Sequence, residues 1–280
     1  VAMGIFSIFI VATVTFFVMN LVPGGPFVAE KSISAAAQQA LAEKYGLDKP
    51  LGAQYLNYMN SLIHGDMGLS LKQRGRQVID IILDGMKTSA KLGMIAAFSA
   101  AIVGIVLGAL AALRRNTVLD KIIMVITTAF VSMPSFIMGS FLLIVFSVKL
   151  GWVPANGATA EGLILPIITL ALYPMSYITR LTRSSMLDVL GQDYIRTARA
   201  KGVSGKKIIF GHALKNSLIP VITYFGPMLA FIVTGSMVVE QIFAVPGIGR
   251  QFVSSITSPL FTDPTYERIR PDYSSYSNRF

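Results

Sequence analysis

Residues 193–216 read DYIRTARAKGVSGKKIIFGHALKN and hold the densest cluster of Lys and Arg in the chain. Uncharged apolar segments flank this cluster, at residues 162–179 and 216–239. A multi-spanning membrane protein has this arrangement, because Lys and Arg collect in its cytoplasmic loops. The stretch therefore predicts an all-α integral membrane protein that carries a cationic loop between two spans.

The composition supports this class. Of the 280 residues, 53% are hydrophobic and only 14% are charged, and the mean hydropathy is +0.63. A soluble domain carries about a quarter charged residues. Cytoplasmic loops explain the net charge of +10 better than nucleic-acid binding does. Because the chain has no cysteine, disulfides, thiolate catalysis and cysteine-based metal sites are excluded.

Five uncharged segments are long enough to cross a bilayer, which takes about 20 apolar residues. They lie at residues 1–22, 92–113, 122–148, 162–179 and 216–239. None of them contains Asp, Glu, Lys, Arg or His, which argues against an ion-coupled carrier and against an intramembrane enzyme. In the second span, small residues recur at a spacing that favours close helix contacts: Gly93, Gly104 and Gly108.

The loops between the spans indicate the orientation. Loop 114–121 carries three cations against one acid, and loop 180–215 carries eight cations against two acids. By the positive-inside rule both loops are cytoplasmic, so the first residues lie inside and residue 240 lies outside. The nearly balanced segments at residues 23–87 and 149–161 are then extracytoplasmic.

Segment 23–87 is too long for a simple connection, so we expect a small folded extracytoplasmic cap. Runs at residues 34–45 and 50–63 are typical of helices, and a loop without regular structure is the alternative. At the other end, residues 258–280 are polar and aromatic. Because they contain no sixth apolar run, we expect this atypical tail to lie outside.

Within the cationic loop, at residues 184–215, the pattern predicts two helices joined by a tight turn. Apolar residues from Leu187 to Ala198 recur at helical spacing, Gly202 interrupts them, and Ser204 suits the N-cap of a second helix. Three interpretations are open: a solvated loop, an amphipathic stretch bound to anionic membrane lipid, and a docking element for a cytoplasmic partner.

The segment RTARAKGVSGKKIIFGHALKN at residues 196–216 resembles the cytoplasmic coupling loop, or EAA loop, of type I ABC importer permeases. The family pattern is Glu-Ala-Ala, three residues, Gly, nine residues, and Ile-x-Leu-Pro. Aligned on Gly202, Ala198 matches the second Ala and Leu214 matches the Leu. Four residues depart from the general pattern and resemble the peptide/nickel branch, where a TARAKG core is usual: Arg196, Thr197, His212 and Lys215.

Other motifs are similar to segments of the same branch. They are LVPGGPF at 21–27, KYGLDKPLGAQYLNYMNSLIHGDMGLSL at 44–71, SMPSF at 132–136 and VVEQIFAVPGIGR at 238–250. The resemblance covers residues 1–257. It fails from Ser258 onward, where the family continues with a sixth span.

The resemblance implies the type I ABC importer permease fold, with a permease core at residues 88–257. It implies a subunit of an ATP-driven peptide importer in the inner membrane of a bacterium or archaeon. The expected partners are a second homologous permease, two cytoplasmic ABC ATPases and an extracytoplasmic solute-binding protein. ATP and Mg²⁺ would bind to the ATPases, so this chain would not be an enzyme. A nickel importer permease and an inactive scaffold of the same fold are the alternatives.

The sequence itself contains no G-x-x-x-x-G-K-[ST] phosphate loop, in keeping with ATP hydrolysis on a partner. No catalytic or metal-ligating residue is expected, since His64 and His212 stand alone in loops on opposite sides. The expected ATPase-coupling residues are Tyr194, Thr197, Ala198, Arg199, Ala200, Lys201, Gly202, Val203, His212 and Leu214. The candidate pathway or gate residues are Pro134, Phe136, Glu240, Pro246 and Gly247.

Overall fold

The computed structural model describes residues 2–21, 49–68, 70 and 76–256. The regular elements among them are helices, as the sequence predicts. The chain divides into two compact units, one formed by Val1–Ile81 with Ser254–Phe280 and one by Ile82–Val253. The predicted helix at residues 34–45 and the tail at residues 258–280 lie outside the described residues.

In the first unit, helix α1 (Ala2–Leu21) contacts helix α2 (Leu51–Ile63) through aromatic side chains. The rings of Phe16 and Tyr55 lie with centroids 5.4 Å apart, and Thr13 Oγ1 lies 2.8 Å from the Tyr55 hydroxyl. Helix α2 confirms the helix predicted at residues 50–63. Pro50 stands at its N-cap, where a missing backbone N–H does no harm.

The remaining helices follow in chain order. They are α3 (Val78–Leu113), α4 (Val118–Ser132), α5 (Ser135–Leu142), α6 (Ile164–Leu190), α7 (Asp193–Ala200), α8 (Gly205–Ser217), α9 (Ile219–Val233), α10 (Met237–Ile242) and α11 (Ile248–Ile256). A π-helical turn, Leu143–Lys149, extends α5, and a second, Ile208–Leu214, lies inside α8. A 3₁₀ turn, Glu161–Leu163, precedes α6.

These helices account for the five predicted spans. Helices α1, α3 and α6 with its preceding turn are each long and apolar enough to cross a membrane. Two bent pairs of helices bring the number to five if each counts as one span: Val118–Ser132 with Ser135–Lys149, bent by 106°, and Gly205–Ser217 with Ile219–Val233, bent by 46°. In the second pair, Gly205–Ser217 belongs mostly to the predicted cytoplasmic loop, so α9 supplies most of the fifth predicted span.

The third predicted span, residues 122–148, is therefore not one continuous helix. The break falls at Met133, whose backbone is extended with φ −90° and ψ 128°. The physical cause is Pro134, because a proline ring disfavours the helical conformation of the residue before it and supplies no N–H to the helix.

Two other boundaries differ from the sequence prediction. The helix that contains the second span begins at Val78, so the end of segment 23–87 belongs to α3. The helix of the fifth span ends at Val233, and residues 237–239 lie in α10. Gly235, with φ +95°, makes the turn between them. Such a positive φ is readily adopted only by glycine.

Helix α6 is central to the second unit, where it packs against α4, α5, α9 and α10. Helix α3 approaches it closely at two glycines. A Cβ on Gly104 would lie 2.7 Å from the Met175 carbonyl oxygen, and one on Gly108 would lie 2.5 Å from that of Thr179. Gly93 makes a similar approach to α9 at the carbonyl of Ile232. The predicted role of these glycines in close helix contacts is confirmed.

Candidate functional site

The turn of the cationic loop is a glycine-dependent helix C-cap. The Gly202 N–H donates to the Arg199 carbonyl at 3.0 Å, and the Val203 N–H donates to the Ala198 carbonyl at 3.1 Å. This pair of bonds is the Schellman motif that ends many helices. It requires a left-handed backbone, and Gly202 has φ +77°. The helix–turn–helix predicted from the sequence is confirmed, and Gly202 produces its turn.

The two helices of the loop are also joined at their far ends. Asn216 Nδ2 donates a hydrogen bond of 2.9 Å to the Tyr194 hydroxyl, which links the end of α8 to the start of α7. Ser204 occupies the N-cap position of α8, as predicted, but its side chain makes no capping hydrogen bond. The loop is therefore a closed hairpin of helices, held by a backbone turn at one end and a side-chain bond at the other.

The expected coupling residues are all part of this hairpin. Tyr194, Thr197, Ala198, Arg199 and Ala200 lie on α7, Lys201, Gly202 and Val203 form the turn, and His212 and Leu214 lie on α8. A cleft of about 310 Å³ opens beside the turn, lined by Arg199, Val203, Gly205, Ile208 and Ile209.

The hairpin presents its charge outward. Its six cations are all exposed: Arg196, Arg199, Lys201, Lys206, Lys207 and Lys215. In the described loop the one salt bridge joins Arg196 to Asp193 at 3.5 Å, and both side chains are mostly exposed. Ile195 and Ile208 are buried and give the hairpin an apolar interior. Most of the positive charge is thus available to a partner surface.

The hairpin is anchored in the helical bundle. Ala213 of α8 is fully buried in a cluster with Ala112 of α3 and Met186 of α6. Short connections join α7 to α6 at residues 191–192 and α8 to α9 at Leu218. The hairpin is therefore connected directly to α6 at one end and to α9 at the other.

A buried ion pair, which was not predicted from the sequence, lies beside this anchor. Arg183 of α6 donates from Nε to Asp120 Oδ1 at 2.6 Å and from Nη2 to Oδ2 at 2.8 Å. The Asn116 N–H also donates to Oδ2, at 2.9 Å. Asp120 is 3% exposed. The sequence gives one indication of this pair: Asp120 is the one acid in loop 114–121. This pair ties α4 to α6.

A second polar centre, the Glu240 knot, is formed by Ser89, residues 235–240 and residues 246–250. The Glu240 carboxylate is fully buried. Its Oε1 accepts from Ser89 Oγ at 2.7 Å and from the Ser236 N–H at 3.3 Å, and its Oε2 accepts from the Arg250 N–H at 3.1 Å. Ser89 Oγ in turn accepts from the Ile248 N–H at 2.9 Å. No salt bridge to Glu240 occurs within the described ranges.

The candidate gate residues fall into two places. Gly247 is buried against Glu240, and a Cβ there would collide with the carboxylate, while Pro246 lies exposed next to it. Pro134 and Phe136 lie exposed at the break between α4 and α5. Their role as a gate stays a prediction. Ser89 could not be found from the sequence, because no local pattern relates it to a glutamate 151 residues away.

A bundle of apolar helices that carries an exposed cationic hairpin defines an integral membrane protein. Two family profiles match the chain: the binding-protein-dependent transport system inner membrane component, at residues 104–263, and its N-terminal region, at residues 1–91. The chain belongs to this family of inner-membrane components. It is an ABC transporter permease and not an enzyme, and ATPase and solute-binding subunits are its partners in the transport system.

Sequence identity to individual permeases supports this family assignment. The dipeptide transport system permease protein DppB of Bacillus subtilis (strain 168) is 47% identical over 89% of this chain and 82% of its own length. The oligopeptide transport system permease protein OppB of Escherichia coli (strain K12) is 41% identical over the same shares. The solved MetNI methionine ABC transporter, in an inward-facing conformation, matches with a TM-score of 0.53 and 20% identity, over 64% of this chain and 82% of that chain. This last similarity concerns the fold.

Proposed function

We propose that this chain is a permease subunit of an ATP-driven importer of peptides. The observation that carries the proposal is the identity of 41–47%, over 89% of the chain, to permeases named for dipeptide and oligopeptide transport. These names favour peptides over nickel as the substrate. In this proposal, the translocation pathway lies between this chain and a second, similar permease.

The assembly would contain two cytoplasmic ATPase subunits and an extracytoplasmic protein that delivers the peptide. ATP and Mg²⁺ would bind only to the ATPases. The exposed cations and small residues around Gly202 suit a docking element, because small side chains let a partner approach the backbone closely. The partner surface that fits this hairpin is a groove with acidic or carbonyl groups at its rim.

The hairpin would transmit movement of the ATPases to the membrane helices. When the two ATPases close on ATP, they would displace α7 and α8 together, because both ends of the hairpin are tied. The buried contact of Met186 with Ala213 would pass that displacement to α6, and the short connection at Leu218 would pass it to α9. The helices would then alternate between inward-open and outward-open arrangements.

The absence of cysteine allows a direct test of docking. With Val203→Cys in this chain and a cysteine in the groove of the ATPase from the same source, we expect an efficient cross-link that changes with nucleotide. Trp152→Cys is the control, since it lies exposed in the loop predicted to be on the opposite side and should not cross-link. A hairpin that never cross-links in an inserted, assembled complex would contradict the coupling role.

Gly202→Trp tests coupling itself. Nothing lies within 4 Å of the Cβ position of Gly202, so the indole would project into the space that a partner fills. The substitution also strains the left-handed backbone of the turn, where φ is +77°. We expect peptide uptake to fall at least about tenfold while ATP hydrolysis continues. Unchanged uptake would overturn the coupling role.

Substrate class is tested by reconstituting the complete transporter in vesicles. Uptake of labelled di- and tripeptides is measured beside uptake of Ni²⁺. Uptake of peptide with no uptake of nickel supports the proposal. Uptake of nickel without uptake of peptide would show that the substrate is nickel and would overturn the proposal. ATPase binding without substrate-stimulated hydrolysis would indicate an inactive member of the same fold.

A further inference from the structure

One face of α6 is exposed and changes character along its length. The exposed residues recur at intervals of three to five: Ile164, Ile168, Tyr173, Tyr177, Arg180, Ser184 and Asp188. This spacing is that of a single helix face. Within the predicted span, residues 162–179, the face is apolar near the extracytoplasmic end and phenolic further on. Arg180, Ser184 and Asp188 continue it into the predicted cytoplasmic loop. A face in contact with lipid alone would stay apolar over this length.

A third tyrosine joins this face from helix α9. The rings of Tyr177 and Tyr224 lie with centroids 4.4 Å apart. Tyr173 lies four residues before Tyr177 and so on the same face of α6. We call Tyr173, Tyr177 and Tyr224 the tyrosine cluster. None of the three hydroxyls makes a hydrogen bond with any other residue that the structure describes. Tyr173 is 50% exposed and Tyr177 is 39% exposed, so their rings are open to an occupant.

The depth of the cluster matters because tyrosine normally lies at the membrane interfaces. Tyr173 lies nine residues after Ile164, which corresponds to about 13 Å along the helix axis. Because the hydrocarbon core is about 30 Å thick, this position falls near its middle. A hydroxyl without a partner is unfavourable in hydrocarbon. The unpaired Tyr173 hydroxyl therefore favours a polar occupant beside the cluster.

We propose that the tyrosine cluster is a binding surface for the backbone of the peptide as it passes through the membrane. This inference rests on the proposed function. A peptide backbone presents an N–H donor and a carbonyl acceptor at every residue, whatever its side chains. A phenol hydroxyl can both donate and accept, and the ring faces can hold apolar side chains. Such a surface would bind peptides of different sequence.

Removing the hydroxyls while keeping the rings tests this binding. The triple variant Tyr173→Phe, Tyr177→Phe, Tyr224→Phe is assembled with its partner subunits and reconstituted. We expect the amount of peptide imported per ATP hydrolysed to fall at least about fivefold, the effect of losing one ordinary hydrogen bond. Tyr58→Phe, outside the cluster, is the matched control and should import as the unmodified chain does. An unchanged ratio in the triple variant would overturn the proposal.

A second measurement does not depend on the triple variant folding. Tyr173→Cys gives the assembled transporter one cysteine in this chain, which is treated with a small, water-soluble thiol reagent. We expect labelling in at least one nucleotide state, and slower labelling when a tripeptide is being transported. Trp152→Cys is the control, because its exposed side chain should be labelled at a rate that peptide does not change.

The other occupants of this face would give different results. Absence of labelling in every nucleotide state would mean that lipid or the second permease covers Tyr173, and labelling that peptide does not slow would mean a water-filled face that does not bind it. Either result overturns the inference. If the unmodified complex imports no peptide, the proposed function itself has failed. If it imports peptide while the cluster results are negative, only this inference has failed.

Discussion

The Glu240 knot and the cationic hairpin use charge in opposite ways. In the knot, a fully buried carboxylate accepts hydrogen bonds from Ser89, Ser236 and Arg250. In the hairpin, six cations are exposed and the one described salt bridge is on the surface. The knot is complete within the chain, whereas the hairpin leaves its charges for a partner. Substitutions in the knot should therefore reduce stability, and substitutions in the hairpin should affect coupling.

The largest effect is expected for Glu240→Ala. The change removes the acceptor of one buried donor, the Ser89 hydroxyl, and of two part-buried N–H groups, those of Ser236 and Arg250. Each buried group left unsatisfied costs about 1–3 kcal/mol. We expect the free energy of unfolding to fall by about 4 kcal/mol. The fall is seen as a lower midpoint temperature of thermal unfolding, followed by circular dichroism of the purified chain. Glu161→Ala removes an exposed acid and is the matched control. Equal midpoints for the two variants would contradict a structural role of the knot.

Gly247→Ala should have the next largest effect, about 3 kcal/mol. Its methyl group would collide with a carboxylate that three hydrogen bonds hold in place, and overpacking of this kind typically costs about 1–3 kcal/mol. Gly205→Ala, in the hairpin, is the comparison, since nothing lies within 4 Å of its Cβ position. The same thermal measurement should show little change there. A loss of stability at Gly205 as large as at Gly247 would remove the distinction between the two regions.

The pair of Asp120 and Arg183 lies between these extremes, because the carboxylate is buried but the Arg183 side chain is 23% exposed. We expect Asp120→Ala or Arg183→Ala alone to lower the free energy of unfolding by about 2 kcal/mol, since each leaves a charge without its partner. The double variant should lose about 1–2 kcal/mol less than the sum of the two, which is the coupling energy of a close pair. Strictly additive losses in denaturant unfolding would show that the two residues act independently.

The smallest effect is expected for Asp193→Ala. Its salt bridge to Arg196 joins side chains that are 95% and 74% exposed, and such pairs contribute well under about 1 kcal/mol. The midpoint of thermal unfolding should stay almost unchanged, at low and at high salt. A loss comparable to that of Asp120→Ala would mean that the hairpin, like the knot, depends on its own ion pairs.

Several parts of the fold and of the candidate site could be predicted from the sequence because they depend on local patterns. Apolar segments between charged flanks predicted the helices that are long enough to span, with two of the five segments bent in the structure. The orientation inferred from Lys and Arg stays a prediction. Gly202, placed between two helical patterns, predicted the turn of the hairpin, since its φ of +77° favours glycine. Gly104 and Gly108 predicted a close helix contact, although not that α6 would be the partner.

Tertiary structure decided the features that join distant residues. Asp120 and Arg183 are separated by 63 positions, and Ser89 and Glu240 by 151. No periodicity relates such residues, so their pairing follows only once the helices have packed. The same holds for the tyrosine cluster, which needs α6 beside α9. A span is read from hydrophobicity along the chain, but a buried hydrogen bond depends on which helix faces which, and only packing of the whole bundle settles that.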